Sequence, residues 1–236
     1  MIELPREARL NKLAVSLVNT LTEQYDLDDM LETLVAECKA LLDVAEVGLV
    51  LADPRGDLHV MAATTESAGH LEALQLRTGE GPCVEAYRRK STVAVVDIDD
   101  ATQWPTFRRV ALGEGYRAVH AVPLKTGEVG LGAMNLFSTR PGNLNEVDAN
   151  AAQALADIAS IGIVTNRIHT RHELVQQQLQ SALESRVTIE QAKGVVSVQR
   201  GVTTEEAFAH IRTCARNGGL RLQSVANQIV ESRLRV

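Results

Sequence analysis

The sequence predicts an α+β protein: an antiparallel sheet with flanking helices, joined by a long helix to a C-terminal three-helix bundle. Three observations lead to this fold class. The run VGLVLADPRGDLHVMAAT, residues 47–64, holds two apolar strand-like segments around DPRGD, whose Pro and Gly supply turn geometry. No proline follows Pro141, and the pattern is helical from about Asn145 onward. The last fifty or so residues divide into short helical patterns with complementary apolar faces. A sequence that runs helix, helix, hairpin, loop, strands and helix describes a layered α+β unit.

The elements follow in order. Leu10, Leu13, Leu17, Val18 and Leu21 recur at helical spacing, and a second helix is expected from Leu27 to Leu42 with Met30, Leu31, Leu34, Val35, Cys38 and Leu41 on its buried face. After the hairpin comes a Gly-rich loop, TGEGPC, then a short helix at about 83–89 and the strand-like run TVAVVDI. An irregular stretch containing Trp104 and Phe107 precedes two strands, YRAVHAVPLK and VGLGAMNLFS, joined by a tight TGE connection. Beyond them Leu155, Ile158, Ala159, Gly162 and Ile163 form a stripe, whereas RHELVQQQLQSALES is polar where a strict heptad would be apolar, so any coiled coil there is weak. A proline-free rod of this length suits parallel dimerisation.

Near the C-terminus, Ala182, Ser185, Ile189, Ala192 and Val196 share one helix face, with Arg186 and Lys193 on its border and Arg200 extending the basic stripe. Thr203 and Glu206 form a T-x-x-E capping box. It opens a helix that turns Ala207, Phe208, Ile211, Cys214 and Ala215 inward and sets Arg212 and Arg216 on one flank. The NGG run ends it, and Leu222, Val225, Ala226, Ile229 and Val230 define the third helix. Gly194 interrupts the first of these helices at a cost of about 1 kcal/mol relative to alanine. It lies about 140° from Ile189 on the wheel, which favours close approach of a neighbouring helix or of RNA over relief of a crowded core.

Charge divides the chain. From Arg171 to Val236 nine Lys/Arg face six Glu, whereas residues 1–170 carry 15 Lys/Arg against 24 Asp/Glu. A basic minority domain is where nucleic acid would bind. The N-terminus mixes charges of both signs and no apolar run approaches membrane-spanning length, so a cytoplasmic protein without membrane contact is expected. Cys38, Cys83 and Cys214 are odd in number and lack metal-ligand spacing, and the six histidines do not cluster. No metal, no cofactor and no enzymatic activity are expected, since neither a nucleophile-base signature nor a phosphate loop is found.

The run SRVTIEQAKGVV, followed by TTEEAFAHIRTCA and LQSVANQIV, resembles the ANTAR domain over residues 181–232. Through GEGPC, WPTF, AVPL and GAMNLFS, residues 1–170 resemble a GAF domain. After AKG, Val195, Val196 and Ser197 are smaller than the bulk common in the ANTAR family. The expected division is a GAF-like sensor at 1–165, a helical linker at 166–180 and an ANTAR-like RNA-binding domain at 181–236. The resemblance implies a signal-responsive RNA-binding antiterminator that binds stem-loops in an mRNA leader, and so prevents the terminator hairpin from forming. Arg186, Lys193, Arg200, Arg212 and Arg216 are the candidate RNA contacts, against the alternative that each covers the core edge with its stem and keeps its charge in water. The GAF resemblance implies a small-molecule ligand or a dimerisation role. Cys83, Trp104, Phe107, Tyr116 and His120 are candidate pocket residues. Cys83 opens a helix whose N-terminal dipole would lower its pKa and make it a redox sensor, against the alternative of a small semi-buried residue closing a loop. The aromatic residues are equally needed as core, and His120 suits a satisfied interior histidine. A ligand- or redox-sensing regulator whose C-terminal bundle binds DNA or a protein remains the alternative.

Overall fold

The structure, a computed structural model, describes residue 15 and residues 26–231, apart from the side chains of Glu173, Leu174 and Ala182. The helix expected over Leu10 to Leu21 and the side chain of Ala182 lie outside the described residues. The chain divides into two compact units, residues 1–168 and 169–236.

In the first unit, helix α1 (Leu27–Leu41) starts where the Asp26 carboxylate accepts the Asp28 amide at 3.0 Å, and it buries the expected face from Met30 to Leu41. Strands β1 (Glu46–Ala52) and β2 (Leu58–Ala63) form the hairpin, with Gly56 at φ 93° in its turn. Helices α2 (Glu66–Thr78) and α3 (Pro82–Arg89) follow, then β3 (Val93–Val95) and α4 (Pro105–Gly113). The long strands β4 (Ala118–Thr126) and β5 (Val129–Ser138) come next. Neighbouring strands pair antiparallel in the order β2-β1-β5-β4-β3.

Two of these helices were not foreseen. Helix α2 buries Glu72 and Gln75 beside Ala68 and Leu71, so half of its inner face is polar and its apolar period is hidden. The Trp104–Phe107 stretch, expected to be irregular, instead begins α4, with Pro105 in its first turn, where a missing N–H costs nothing.

The sheet is covered on both faces, which explains why β1, β4 and β5 read as continuous apolar runs rather than alternating ones. Leu31, Leu34 and Cys38 of α1 pack with Leu49, Val122, Met134 and Leu136 on one face. Ala156, Ala159 and Ile163, from the start of helix α5 (Glu146–Arg200), join them there. Leu71, Trp104, Phe107, Tyr116, Val119 and Phe137 form a core on the other face, beside Cys83, Ala86, Ala121 and Ala133.

The second unit comprises the end of α5 with α6 (Thr204–Gly218) and α7 (Leu222–Val230). Both halves of the capping box are made: the Thr203 hydroxyl accepts the Glu206 amide at 3.2 Å, and the Glu206 carboxylate accepts the Thr203 amide at 2.9 Å. Gly219 closes α6 at φ 63°. Ala192, Val196, Ala207, Ile211, Ala215, Val225, Ala226 and Ile229 form the seam between the helices. Among the described residues no helix is long and apolar enough to cross a membrane, and no group of three or more His, Cys, Asp or Glu is arranged to hold a metal ion.

One glycine sets how closely α2 approaches the sheet: a Cβ on Gly48 would lie 2.3 Å from Glu72 Oε1. Gly48→Ala is therefore expected to lower stability in a urea titration by roughly 1–3 kcal/mol, the usual cost of overpacking. A wild-type midpoint would show that the carboxylate moves away freely.

Candidate functional site

In the second unit the seam determines which side chains face outward together. Lys193 follows the buried Ala192, and its side chain keeps only 19% of its surface exposed. Its Nζ donates to both carboxylate oxygens of Glu190 at 2.9 Å and stands 5.8 Å from the centroid of the Phe208 ring. Arg212, one turn after Phe208, brings its guanidinium carbon to 5.9 Å from the same ring. Both cations are within cation-π range of one aromatic. Ser185, Arg186, Ile189, Glu190, Lys193 and Phe208 line a groove of about 350 Å³ beside it.

Three of the five candidate cations, Arg186, Lys193 and Arg212, thus gather around Phe208. Arg200 ends α5 and Arg216 stands in the last turn of α6, and neither lines the groove. Phe208 corrects the sequence reading, which turned it inward: it is half-buried and is not among the side chains packed in the seam. Its signal was Arg212 four residues on, an i, i+4 aromatic-cation pair. Gly194 also departs from expectation. Nothing lies within 4 Å of where its Cβ would stand, so within this unit it permits no close helix contact.

The first unit holds a buried polar cluster that the sequence reading did not assemble. The Asn135 side-chain amide donates to both oxygens of Glu72, at 2.6 and 2.7 Å. Gln75 Nε2 donates to Glu72 Oε2 at 3.2 Å, and Gln75 Oε1 accepts the Cys83 amide at 2.9 Å. Asn135 Oδ1 has no hydrogen-bond partner among the described residues. Burial raises the Glu72 carboxyl to about 7 although its hydrogen bonds to Asn135 and Cys83 oppose the shift. Burial, and secondly the charge of Glu72, push the Cys83 thiol well above its ordinary value. The expected lowering of Cys83 by the helix dipole is therefore overturned: desolvation of a fully enclosed thiolate outweighs a terminal dipole.

The five candidate pocket residues do not converge. Trp104, Phe107 and Tyr116 are buried in one apolar core, the first two edge-to-face at 6.4 Å. Tyr116 stacks near Phe137 at 5.0 Å, and its hydroxyl pairs with Ser67 at 2.8 Å. His120 alternates with Val119 and Ala121 and so faces the opposite side of the sheet, where its Nε2 accepts the Leu144 amide at 3.2 Å. Burial lowers its pKa, in keeping with a neutral, accepting imidazole.

The Glu72 shift has a definite sign for stability. The unfolded chain releases this proton in the ordinary carboxyl range and the folded chain only near 7, so stability falls as pH rises between the two and the full loss is present above 7. Glu72→Gln is expected to flatten that slope in denaturant titrations from pH 5 to 8, removing a change on the order of 2–3 kcal/mol. A variant whose profile runs parallel to wild type would contradict the assignment.

Comparisons with known proteins agree with this division. A family model described as GAF domain matches residues 24–164, and one described as ANTAR domain matches residues 177–230. Among solved structures, the GAF domain of a phosphoenolpyruvate-protein phosphotransferase from Coxiella burnetii is similar at 18% identity and TM-score 0.55, covering 70% of this chain and 98% of that one. The corresponding Acinetobacter GAF domain is similar at 18% identity and TM-score 0.54, covering 71% and 97%. A free methionine-R-sulfoxide reductase from Neisseria meningitidis is similar at 20% identity and TM-score 0.52, covering 72% and 96%. At these identities the likeness carries the fold alone. Comparison with curated proteins gives no match. The chain belongs to the GAF domain family and carries an ANTAR domain at its C-terminal end.

Proposed function

We propose that the protein is a signal-responsive RNA-binding transcription antiterminator: its ANTAR domain binds stem-loops in nascent mRNA and keeps the transcript from forming a terminator. The observation that carries this reading is the convergence of Arg186, Lys193 and Arg212 on one aromatic in a domain of that family. Single-stranded loops are recognised by cations on the backbone and by aromatic or guanidinium planes under unstacked bases, and this surface offers both. Helix α7, Leu222–Val230, contains no charged residue, so it lacks the Arg or Lys that makes the commonest specific contact of a DNA recognition helix, the one to guanine.

The regulator comprises a sensor at 1–165, a helical connector at 166–180 and the RNA-binding domain at 181–236. It has no catalytic role of its own. The signal is a small molecule acting on the GAF domain, and the enclosed state of Cys83 speaks against direct thiol sensing. The active form is a homodimer. Val175, Leu179, Leu183 and Val187 recur every four residues on α5 and are largely exposed, Leu179 and Leu183 at 61% each. Each step of four turns about 40° around the helix, so the row winds across one side of it and offers an apolar contact to a second copy of the same helix.

Replacing Arg186 and Lys193 together by alanine should weaken binding to an RNA with two stem-loops and reduce the slope of log K against log salt by about 0.7–0.9 per lost phosphate contact. Unchanged affinity in a filter-binding titration would remove this surface from the interface. The purified chain is expected to be dimeric at micromolar concentration, and Leu179→Glu with Leu183→Glu to be monomeric. A monomeric wild type in light scattering would contradict the proposed seam.

A further inference from the structure

We propose that the groove beside Phe208 is a nucleobase slot, in which an unstacked loop base packs on the Phe208 ring while Lys193 leaves Glu190 for a phosphate of the same loop. The inference rests on the RNA-binding reading and names where one base goes. The largest side chain of α6 stands outside the helix seam, which is built from Ala207, Ile211 and Ala215 on that helix. Core packing therefore does not account for Phe208. The groove's lining combines the apolar Ile189 and Phe208 with the cationic Arg186 and Lys193. A flat apolar ring attached to an anionic backbone fits such a lining, and its volume of about 350 Å³ falls in the range of small-molecule sites.

Glu190 makes the slot self-complementary when empty. The Lys193–Glu190 pair joins residues three apart on one helix, and the Glu190 side chain is 60% exposed. Ion pairs three residues apart on one helix contribute little, so transfer of Lys193 to a phosphate meets little resistance. Arg212 reaches the Phe208 ring without lining the groove, so it is positioned to support the ring and not to occupy the slot.

The test uses the full chain and a pool of RNAs with two short stem-loops whose loops are randomised. Wild type, Phe208→Leu and Phe208→Trp are titrated with the retained pool at several salt concentrations, with helix content checked by circular dichroism. Stacking predicts that Phe208→Leu binds roughly tenfold to a hundredfold more weakly with a salt slope parallel to wild type, and that Phe208→Trp restores affinity. Zero-length ultraviolet crosslinking should leave a nucleotide adduct on the wild-type peptide containing Phe208. Wild-type affinity in Phe208→Leu would overturn the slot, as would a loss that comes with a flattened slope, since the ring would then act only by holding its cations. Should Phe208→Leu lose its helix content, the crosslink decides: an adduct elsewhere, with none on Phe208, also overturns it. Failure of wild type to retain any RNA would instead overturn the RNA-binding reading, and the slot with it.

Discussion

The eight small and branched side chains of the helix seam, Ala192, Val196, Ala207, Ile211, Ala215, Val225, Ala226 and Ile229, fix where Lys193, Phe208 and Arg212 stand. Three residues of the candidate surface come one step after a seam residue: Lys193 after Ala192, Phe208 after Ala207 and Arg212 after Ile211. One step on a helix is about 100°, so these side chains leave the seam on the same side and line up along its edge. The alanines let the helix backbones come close, which narrows the gap between Lys193 and Phe208 to cation-π distance. Burial sets the register, and the register sets the surface.

The first unit works by the opposite logic. There the sheet is enclosed on both faces, and a polar cluster inside it depends on a missing side chain, since Gly48 leaves room for the Glu72 carboxylate against β1. A carboxylate in that position is costly unless hydrogen-bonded, and Asn135 and Gln75 supply the donors. One acceptor, Asn135 Oδ1, is still unmatched among the described residues. Where an antiparallel sheet could be sealed with apolar groups alone, a Glu-Gln-Asn-Cys cluster marks the part of the sensor domain whose chemistry is not explained by folding.

Elements with a single dominant signal were legible in the sequence. The α1 stripe, the DPRGD hairpin, β4 and β5, the Thr203–Glu206 capping box and the closing Gly219 all have local causes. Helix α2 was not legible because Glu72 and Gln75 occupy its inner face, and α4 was hidden by a proline that here starts a helix. Phe208 was misplaced because periodicity counts it with the inward positions, one step from Ala207, although the alanine is what the neighbouring helices can accommodate. The direction of the Cys83 shift was misjudged since helix position is visible in sequence and desolvation is not. Of the five pocket candidates, Trp104, Phe107 and Tyr116 share one core, Cys83 sits in a neighbouring cluster, and His120 is set on the other face of the sheet by the two-residue alternation of its strand, which single residues do not reveal.

The proposed function holds that the C-terminal helices grip looped ribonucleotides and that the GAF domain governs when. Crosslinking the protein to RNA in its own cells and sequencing the captured fragments tests this most directly. The account predicts enrichment of leader segments with paired stem-loops just upstream of terminators. Recovery of no RNA above background, with purified protein holding duplex DNA instead, would contradict it.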